Sequence, residues 1–191
     1  MMRAFIGIPM PAEIADALEA VQAGIPSGKE VPYDNFHITL AFLGDQQEPV
    51  IEEAHHALAE LRAPAFSLQI EGLGVFGGTR PRTLFADVKP EPSLTHLHRK
   101  VHRAAHEAGI ELARQRFRPH VTLARFGNDG LRGEDAAEMQ AFIARRVALS
   151  TAPFTVDEFI LYRSHLGRAG PIYEPLAEYP LVTEEPATQW A

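Results

Sequence analysis

Phe-His-Ile-Thr-Leu-Ala-Phe-Leu-Gly at residues 36–44 has a counterpart later in the chain, Pro-His-Val-Thr-Leu-Ala-Arg-Phe-Gly at residues 119–127. Both stretches alternate polar and apolar residues, which is typical of a β-strand because successive side chains point to opposite faces. Strict alternation puts His37, Thr39 and Ala41 on one face of the first strand, and the apolar side chains between them on the other. We therefore predict two matched strands, each with an imidazole and a hydroxyl facing a cleft and an apolar side in a core.

The elements around these two strands repeat in the same order, which is strand, helix, motif strand, helix and strand. Hydrophobic spacing and Gly and Pro breaks predict strands at 3–9, 66–70, 72–76, 83–88, 154–162 and 172–181, and helices at 11–23, 47–61, 92–108 and 134–146. This order predicts an internal duplication, with copies at about 3–78 and 82–165. The expected fold class is α+β and bilobal: two pseudo-symmetric lobes of largely antiparallel sheet, with helices outside and a cleft between the lobes. We expect a single bilobal domain over 1–182 and a disordered tail over 183–191.

Composition restricts the classes of protein to which the chain can belong. A length of 191 residues with 46% hydrophobic residues predicts one domain with a sizeable core. A net charge of −7 argues against general nucleic-acid binding, whose affinity comes from many phosphate contacts. No apolar run is long enough to span a bilayer, so we expect no membrane partner. The N-terminus lacks a long signal-like apolar stretch, and we expect a cytoplasmic protein. We also expect a monomer.

We expect neither a metal site nor a cofactor. The chain has no cysteine, which excludes disulfides, thiolate metal sites and a cysteine nucleophile. His98, His102 and His106 recur every fourth residue of the predicted 92–108 helix, a spacing that can bind a metal ion. The apolar positions of that helix form its buried stripe, so these histidines are expected to flank the stripe on the surface. The sequence therefore predicts metal-free chemistry.

Two imidazoles facing one cleft can supply a general base and a general acid. The unperturbed pKa of histidine is about 6.5, so near neutrality one ring of a pair can be neutral and the other protonated. His37 and His120 can then take a proton from water or a ribose hydroxyl and give one to a departing oxygen; each transfer typically contributes about 10²–10⁴-fold in rate. Phosphodiester cleavage suits this arrangement, because its attacking and leaving oxygens lie roughly in line. The hydroxyls of Thr39 and Thr122 can hydrogen-bond the non-bridging oxygens, and the alanine next along each face leaves room for substrate.

A longer pattern surrounds the paired His-x-Thr-x motifs. Its segments are Phe5-Ile6-Gly7-Ile8, His37-Ile38-Thr39-Leu40-Ala41-Phe42-Leu43-Gly44, Arg118-Pro119-His120-Val121-Thr122-Leu123-Ala124-Arg125, Leu161-Tyr162-Arg163-Ser164-His165-Leu166 and Gly170-Pro171-Ile172-Tyr173. The pattern resembles the 2H phosphoesterase superfamily and, within it, the RNA 2′,3′-cyclic phosphodiesterase branch, also called the 2′-5′ RNA ligase family. The resemblance covers about residues 3–181.

This resemblance implies a bilobal 2H phosphoesterase domain with the cleft between its lobes. It also implies hydrolysis of a terminal 2′,3′-cyclic phosphate of RNA to a 2′-phosphomonoester. In that reaction His37 is expected to be the proton donor to the leaving 3′ oxygen. His120 is expected to be the proton acceptor that activates water.

Arg125, Phe42 and Arg118 are the candidates for substrate binding. Arg125 sits where the resembling family has a phosphate-binding arginine, and a guanidinium fits phosphate oxygens well. Strict alternation instead puts it on the face of Val121 and Leu123, unless the strand twists, ends or is redirected by a bulge. Phe42 occupies the equivalent position in the first copy, where it can stack on a base or pack in the core. Arg118 belongs to a cluster of arginines around the second motif that can hold a few phosphates.

The expected partners are RNA or oligonucleotide ends, with tRNA fragments among the candidates, and nucleotides. Three alternatives to hydrolysis of RNA ends stay open. The first is the reverse reaction, 2′-5′ ligation, in which a 5′-hydroxyl replaces water. The second is a phosphodiesterase of small cyclic nucleotides. The third is a nucleotide- or RNA-binding module without turnover, against which the intact His and Thr of both copies count.

Overall fold

The computed structural model describes residues 1–167 and 170–182, which form a mixed α/β fold with antiparallel sheets. The strands are β1 (Met2–Pro9), β2 (Lys29–Glu30), β3 (His37–Gln46), β4 (Phe66–Leu68), β5 (Ile70–Phe76), β6 (Thr83–Val88), β7 (His120–Arg125), β8 (Phe154–Val156), β9 (Glu158–Leu166) and β10 (Pro171–Pro180). The helices are α1 (Ala12–Gln22), α2 (Glu48–Ala59), α3 (Pro92–Glu107) and α4 (Gly133–Ala144). The predicted fold class is thus confirmed. The expected tail at 183–191 lies outside the described residues.

Two features of the strands differ from the prediction. The strand expected at 154–162 is two strands, because β8 pairs with β4 in a small sheet of its own while β9 runs in the large sheet. The short strand β2 was not predicted, since two residues are too few for a periodic pattern. Both differences arise from pairing between distant segments rather than from local sequence.

One long sheet organises the molecule. Its strand order is β10-β9-β1-β3-β7-β6-β5, with β2 added beside β7, and the paired strands are antiparallel. β1 lies inside the sheet, between β9 and β3, and residues 4–8 of this strand are all buried. A strand with two neighbours and both faces covered reads as a continuous apolar run, as Ala-Phe-Ile-Gly-Ile does here.

The last strand of each predicted copy pairs with the first strand of the other copy. β9 pairs with β1 and β5 pairs with β6, and β4 pairs with β8. The motif strands β3 and β7 meet at a single pair, Ile38 opposite Val121. This reciprocal pairing supports a two-fold relation between the copies. On that basis we propose that residues 1–182 form the single bilobal domain that the repeat predicts.

The hydrophobic core lies between the sheet and the helices. α3 buries one stripe, consisting of Leu94, Leu97, Val101, Ala104 and Ala105, and packs against β3 and α2. Ile38 and Leu40 of β3 belong to the same core, so His37 and Thr39 point to the opposite face of the sheet. In the described ranges, no helix has the length and apolarity that crossing a bilayer requires.

Candidate active site

A small cavity of about 160 Å³ brings the two motifs together. Its walls include both predicted histidines and both predicted threonines, which are His37, Thr39, His120 and Thr122. The pairing of Ile38 with Val121 explains this convergence, because an antiparallel register sets each histidine on the side of the other strand's threonine. The two imidazoles therefore border one space of a size suited to a phosphate group.

Hydrogen bonds fix the tautomer of His37. Its Nδ1–H donates to the carbonyl oxygen of Asn35 at 2.7 Å, and its Nε2 lies 3.0 Å from the hydroxyl oxygen of Thr39. Asn35 is buried, and its side-chain amide donates to the carbonyl oxygen of Pro171 at 2.8 Å. Since a carbonyl oxygen only accepts, Nδ1 carries the proton and Nε2 of the neutral ring is left as an acceptor.

Neighbouring rings and a glycine hold His37 in place. The centroid of its ring lies 4.7 Å from that of Phe5 and 5.3 Å from that of Tyr173, which meets it edge-on. Gly7 of β1 leaves the space for the imidazole, because a Cβ there would lie 3.2 Å from Cδ2 of His37 and 3.1 Å from the carbonyl oxygen of Ile38. The Phe-Ile-Gly-Ile segment of the first strand is thus part of the wall behind the site.

His120 makes the matching Nδ1 hydrogen bond in the second copy. Its Nδ1–H donates to the carbonyl oxygen of Arg118 at 2.7 Å, so Nε2 is again the acceptor of the neutral ring. Its ring lies 4.8 Å from Phe76, edge-on, and 5.2 Å from Phe85. The guanidinium of Arg118 covers Phe85 at 4.7 Å and lies 3.0 Å from a carboxylate oxygen of Asp87.

The pKa of each histidine lies below the ordinary value of about 6.5. Burial lowers the pKa of His37 to about 4, against the opposing effect of its bond to Asn35; the charges of His120 and Arg125 add to the lowering. Burial also lowers the pKa of His120, with its bond to Arg118 opposing. Both rings are therefore neutral at pH 7, and one must take up a proton before it can act as an acid. A bound phosphate favours that uptake, because a nearby negative charge stabilises an imidazolium.

A β-bulge in each motif strand redirects the residues that follow the threonine. The pairing of β3 with β1 skips Leu40, and the pairing of β7 with β6 skips Leu123. Phe42 and Arg125 are thereby returned to the face of the histidines, and both line the small cavity. Of the three ways in which Arg125 could leave the apolar face, the structure shows a bulge at Leu123 and also ends β7 at Arg125.

The prediction that Ala41 and Ala124 face the cleft beside the threonines is wrong for the small cavity, which neither lines, although Ala41 lines a larger cavity next to it. They are 4% and 0% exposed and belong to the hydrophobic core, because the bulge puts a leucine and an alanine in succession on the core side. Phe42, which strict alternation assigns to the apolar face, is 69% exposed instead. The bulge thus turns Phe42 and Arg125, rather than the alanines, toward the small cavity.

A substitution at Ala124 tests this arrangement. Ala124→Leu is expected to lower the free energy of unfolding by about 1–3 kcal/mol, because extra methylenes are forced into a packed core. Urea denaturation measures the effect, with Ala137→Leu on the exposed side of α4 as the matched control. If Ala124 faced the cleft, the variant would keep its stability and lose activity.

Arg118 and several unpredicted residues complete the site region. Arg118 lines a larger neighbouring cavity rather than the small one, and it is paired with Asp87. Tyr173 lines the small cavity and lies in the Gly-Pro-Ile-Tyr segment that carried the family resemblance. Phe76 and Thr83 also line it, although neither belongs to a motif. They arrive there through the pairing of β5 with β6, which local sequence does not reveal.

The histidines of α3 lie beside this region. Among residues 1–167 and 170–182, no three His, Asp or Glu side chains are grouped as metal ligands are. The ring centroids of His98 and His102 are 4.0 Å apart, and His98 stacks on Phe117 at 3.8 Å. His106 is exposed further along the helix. The sequence suggested that these histidines are simply surface residues, but His98 and His102 line the larger cavity.

Known proteins share both the sequence pattern and the fold. A sequence model described as the 2′-5′ RNA ligase superfamily matches residues 10–168. A protein named RNA 2′,3′-cyclic phosphodiesterase from Geobacillus stearothermophilus is 35% identical over 187 residues, and one of the same name from Aeropyrum pernix is 34% identical over 169 residues. These alignments cover 93% and 87% of this chain. The chain spans 57% of the length of the first relative and 92% of the second.

Solved structures agree with these sequence matches. The crystal structure of Escherichia coli LigT in its apo form matches with a TM-score of 0.77 and 26% identity, over 94% of this chain and 97% of that chain. The structure of the same protein complexed with 3′-AMP matches with a TM-score of 0.72 and 26% identity over the same shares. The motifs, the fold and the sequence match lead to one conclusion: the chain belongs to the 2′-5′ RNA ligase superfamily.

Proposed function

We propose that this protein hydrolyses the terminal 2′,3′-cyclic phosphate of RNA or oligonucleotides to a 2′-phosphomonoester by two-histidine acid–base catalysis. The convergence of both His-x-Thr motifs on one cavity of about 160 Å³ carries the proposal. The names of the bacterial and archaeal relatives support the same reaction. The bond that each Nδ1 makes to a backbone carbonyl supports it too, because both Nε2 atoms are then available for proton transfer.

The proposed step transfers two protons, forms one P–O bond and breaks another. Water attacks phosphorus as Nε2 of His120 takes its proton, and the P–O3′ bond breaks as protonated Nε2 of His37 gives its proton to O3′. The phosphate stays on the 2′ oxygen. The hydroxyls of Thr39 and Thr122 and the guanidinium of Arg125 hydrogen-bond the non-bridging oxygens, on which charge develops.

The roles of the two histidines come from the family resemblance. In the free protein the pKa of His37, about 4, makes it a poor carrier of a proton at pH 7. The proposal therefore requires the bound phosphate to charge His37. The hydroxyl of Thr39 then turns from Nε2 to a phosphate oxygen, because an imidazolium has no acceptor nitrogen.

The proposed ligands are RNA or oligonucleotide ends, tRNA fragments among them, and nucleotides. The match to LigT complexed with 3′-AMP supports nucleotide binding. A net charge of −7 favours binding confined to the cleft over binding along the whole surface. We further propose that catalysis needs no metal or cofactor, since two imidazoles supply both proton transfers. We also propose that the protein is a monomer and works in the cytoplasm.

A dinucleotide that ends in a 2′,3′-cyclic phosphate tests the reaction. We expect a 2′-phosphate product, formed at the same rate with and without an excess of chelator. The product is identified by chromatography against 2′- and 3′-phosphate standards. Loss of activity in chelator, with recovery on adding a divalent ion, would contradict the metal-free scheme. A 3′-phosphate product would show that the 2′ oxygen leaves instead.

The description of the matched family favours 2′-5′ ligation as a second candidate. The same imidazoles can catalyse it by microscopic reversibility, with a 5′-hydroxyl in place of water. An added oligonucleotide with a 5′-hydroxyl is then expected to yield a 2′-5′-linked product. The ratio of this product to the 2′-phosphate measures the balance between the two reactions.

A further inference from the structure

A second, larger cavity opens beside the small one. Its volume is about 420 Å³, and it shares Thr39, Phe42, Phe76 and His120 with the small cavity. Its size lies within the roughly 300–1,000 Å³ of typical small-molecule sites. The remaining wall comes from Leu40 and Ala41 of β3, from α3 and from residues between 112 and 118, which precede the second motif strand. A molecule whose phosphate occupies the small cavity can therefore extend directly into the larger one.

The walls of the larger cavity carry aromatic rings. Phe42 borders both cavities and is 69% exposed. Phe117 stacks on His98 with an angle of 19° between the rings and 3.8 Å between their centroids. His98 in turn lies against His102. Flat rings beside a phosphate site are the means by which proteins stack nucleobases.

The two histidines also provide hydrogen-bonding edges. Nε2–H of His102 donates to the carbonyl oxygen of Leu40 at 3.2 Å, which leaves Nδ1 outside that bond. Burial and the neighbouring His102 lower the pKa of His98 to about 4, so His98 is neutral at pH 7. A neutral imidazole offers one donor and one acceptor, as the edge of a nucleobase does.

Charge in the cavity is positive at its rim. Arg116 and Arg118 line the cavity, and the charge of Arg118 is already matched by Asp87. Arg116 is exposed. A neutral aromatic interior with a cationic rim suits a base inside and the phosphate of a preceding nucleotide outside.

We infer that the larger cavity binds the nucleobase of the terminal nucleotide, with His98 and Phe117 as specificity-determining residues. The inference rests on the proposed function, which places the cyclic phosphate in the small cavity. The base of that nucleotide is separated from phosphorus only by its ribose. The four residues that the cavities share span this short distance.

Calorimetric titration with adenosine 2′-monophosphate and with ribose 2-phosphate tests the inference without turnover. We expect the wild-type protein to bind the nucleotide about ten- to a hundredfold more tightly, the usual effect of stacking one base. His98→Ala should remove most of this factor and leave the affinity for ribose 2-phosphate unchanged. His96→Ala, at an exposed position of the same helix, should change neither affinity.

Two further measurements guard against a change in folding. Phe117→Leu keeps an apolar side chain without the ring and should reproduce the loss seen in His98→Ala. By NMR, the imidazole protons of His98 should shift on adding the nucleotide and stay in place on adding ribose 2-phosphate. Equal wild-type affinity for the two ligands, or an equal loss of both in His98→Ala, would overturn the inference.

Hydrolysis of the cyclic-phosphate dinucleotide, measured on the same preparations, separates this inference from the proposed function. Base-dependent binding without hydrolysis would refute the proposed reaction and support the base site. Hydrolysis by a protein that binds both ligands equally would support the proposed reaction and refute the base site.

Discussion

Replacing either histidine of the small cavity with alanine is expected to lower kcat for cyclic-phosphate hydrolysis by about 10²–10⁴-fold, the usual contribution of one general acid or base. His37→Ala removes the proposed donor to O3′, and His120→Ala removes the proposed acceptor of the water proton. Both side chains line the cavity between strands whose apolar residues form the core. The folded state should therefore survive, which thermal unfolding of each variant will check.

The matched control is His96→Ala, which removes an exposed imidazole from α3 and should leave kcat unchanged. The kcat of the double variant should lie only slightly below that of the less active single variant. The reason is that the effects of two groups that act in the same transition state are not additive. A single variant that hydrolyses the substrate at a near-wild-type rate while still binding 2′-nucleotide would show that the missing imidazole transfers no proton.

Replacing Arg125 with alanine is expected to lower kcat/KM by about 10²–10³-fold, the range seen when one donor to a developing negative charge is removed. Its side chain is exposed at the end of β7 and lines the small cavity. Its positive charge also lowers the pKa of His37 and of His120. Arg125→Ala should therefore raise both values and move the pH–rate profile toward higher pH.

Arg125→Lys keeps the charge without the planar fork and should recover only part of the activity. Arg103→Ala is the matched control, because its side chain is 81% exposed and pairs with Glu107 one turn along α3. Steady-state kinetics over a range of pH distinguishes these effects. Unchanged kcat/KM in Arg125→Ala would mean that the guanidinium does not touch the phosphate.

The sequence predicted the central part of the site because that part is repeated. Two copies of His-x-Thr, each in a strand of alternating polar and apolar residues, were enough to predict that both imidazoles and both hydroxyls share one face. The structure has all four side chains in the wall of the small cavity. The helices and most strands followed from hydrophobic spacing and from Gly and Pro breaks. These features are local, so the sequence displays them directly.

Strict alternation of side chains between the two faces of a strand gave the wrong face for the residues just after each threonine. A bulge adds one residue to a strand and reverses the facing of the residues that follow, up to a second shift at Leu43 in β3; yet Leu40-Ala41 and Leu123-Ala124 look like ordinary strand sequence. The buried alanines and the exposed Phe42 are consequences of this shift. The first copy and the second copy share the bulge, which is why Phe42 and Arg125 occupy equivalent places.

Long-range pairing accounts for what else was missed. Asn35 holds His37 through a backbone carbonyl, and any residue type can supply one. Phe76 and Tyr173 reach the histidines from β5 and β10, whose places in the sheet depend on partners far away in the chain. A sequence pattern records the chemistry of side chains better than it records which strands will be neighbours.

The pH dependence of kcat/KM in the two single-histidine variants tests most directly which histidine donates a proton and which accepts one. A proton donor is active below its pKa and a proton acceptor above it, so wild-type protein should give a bell-shaped curve. Its midpoints should lie below pH 6.5, because the pKa of His37 is about 4 and that of His120 is also lowered. We predict that His37→Ala loses the alkaline limb and His120→Ala the acidic limb; a variant that retains both limbs would contradict the pairing of one imidazole with each proton transfer.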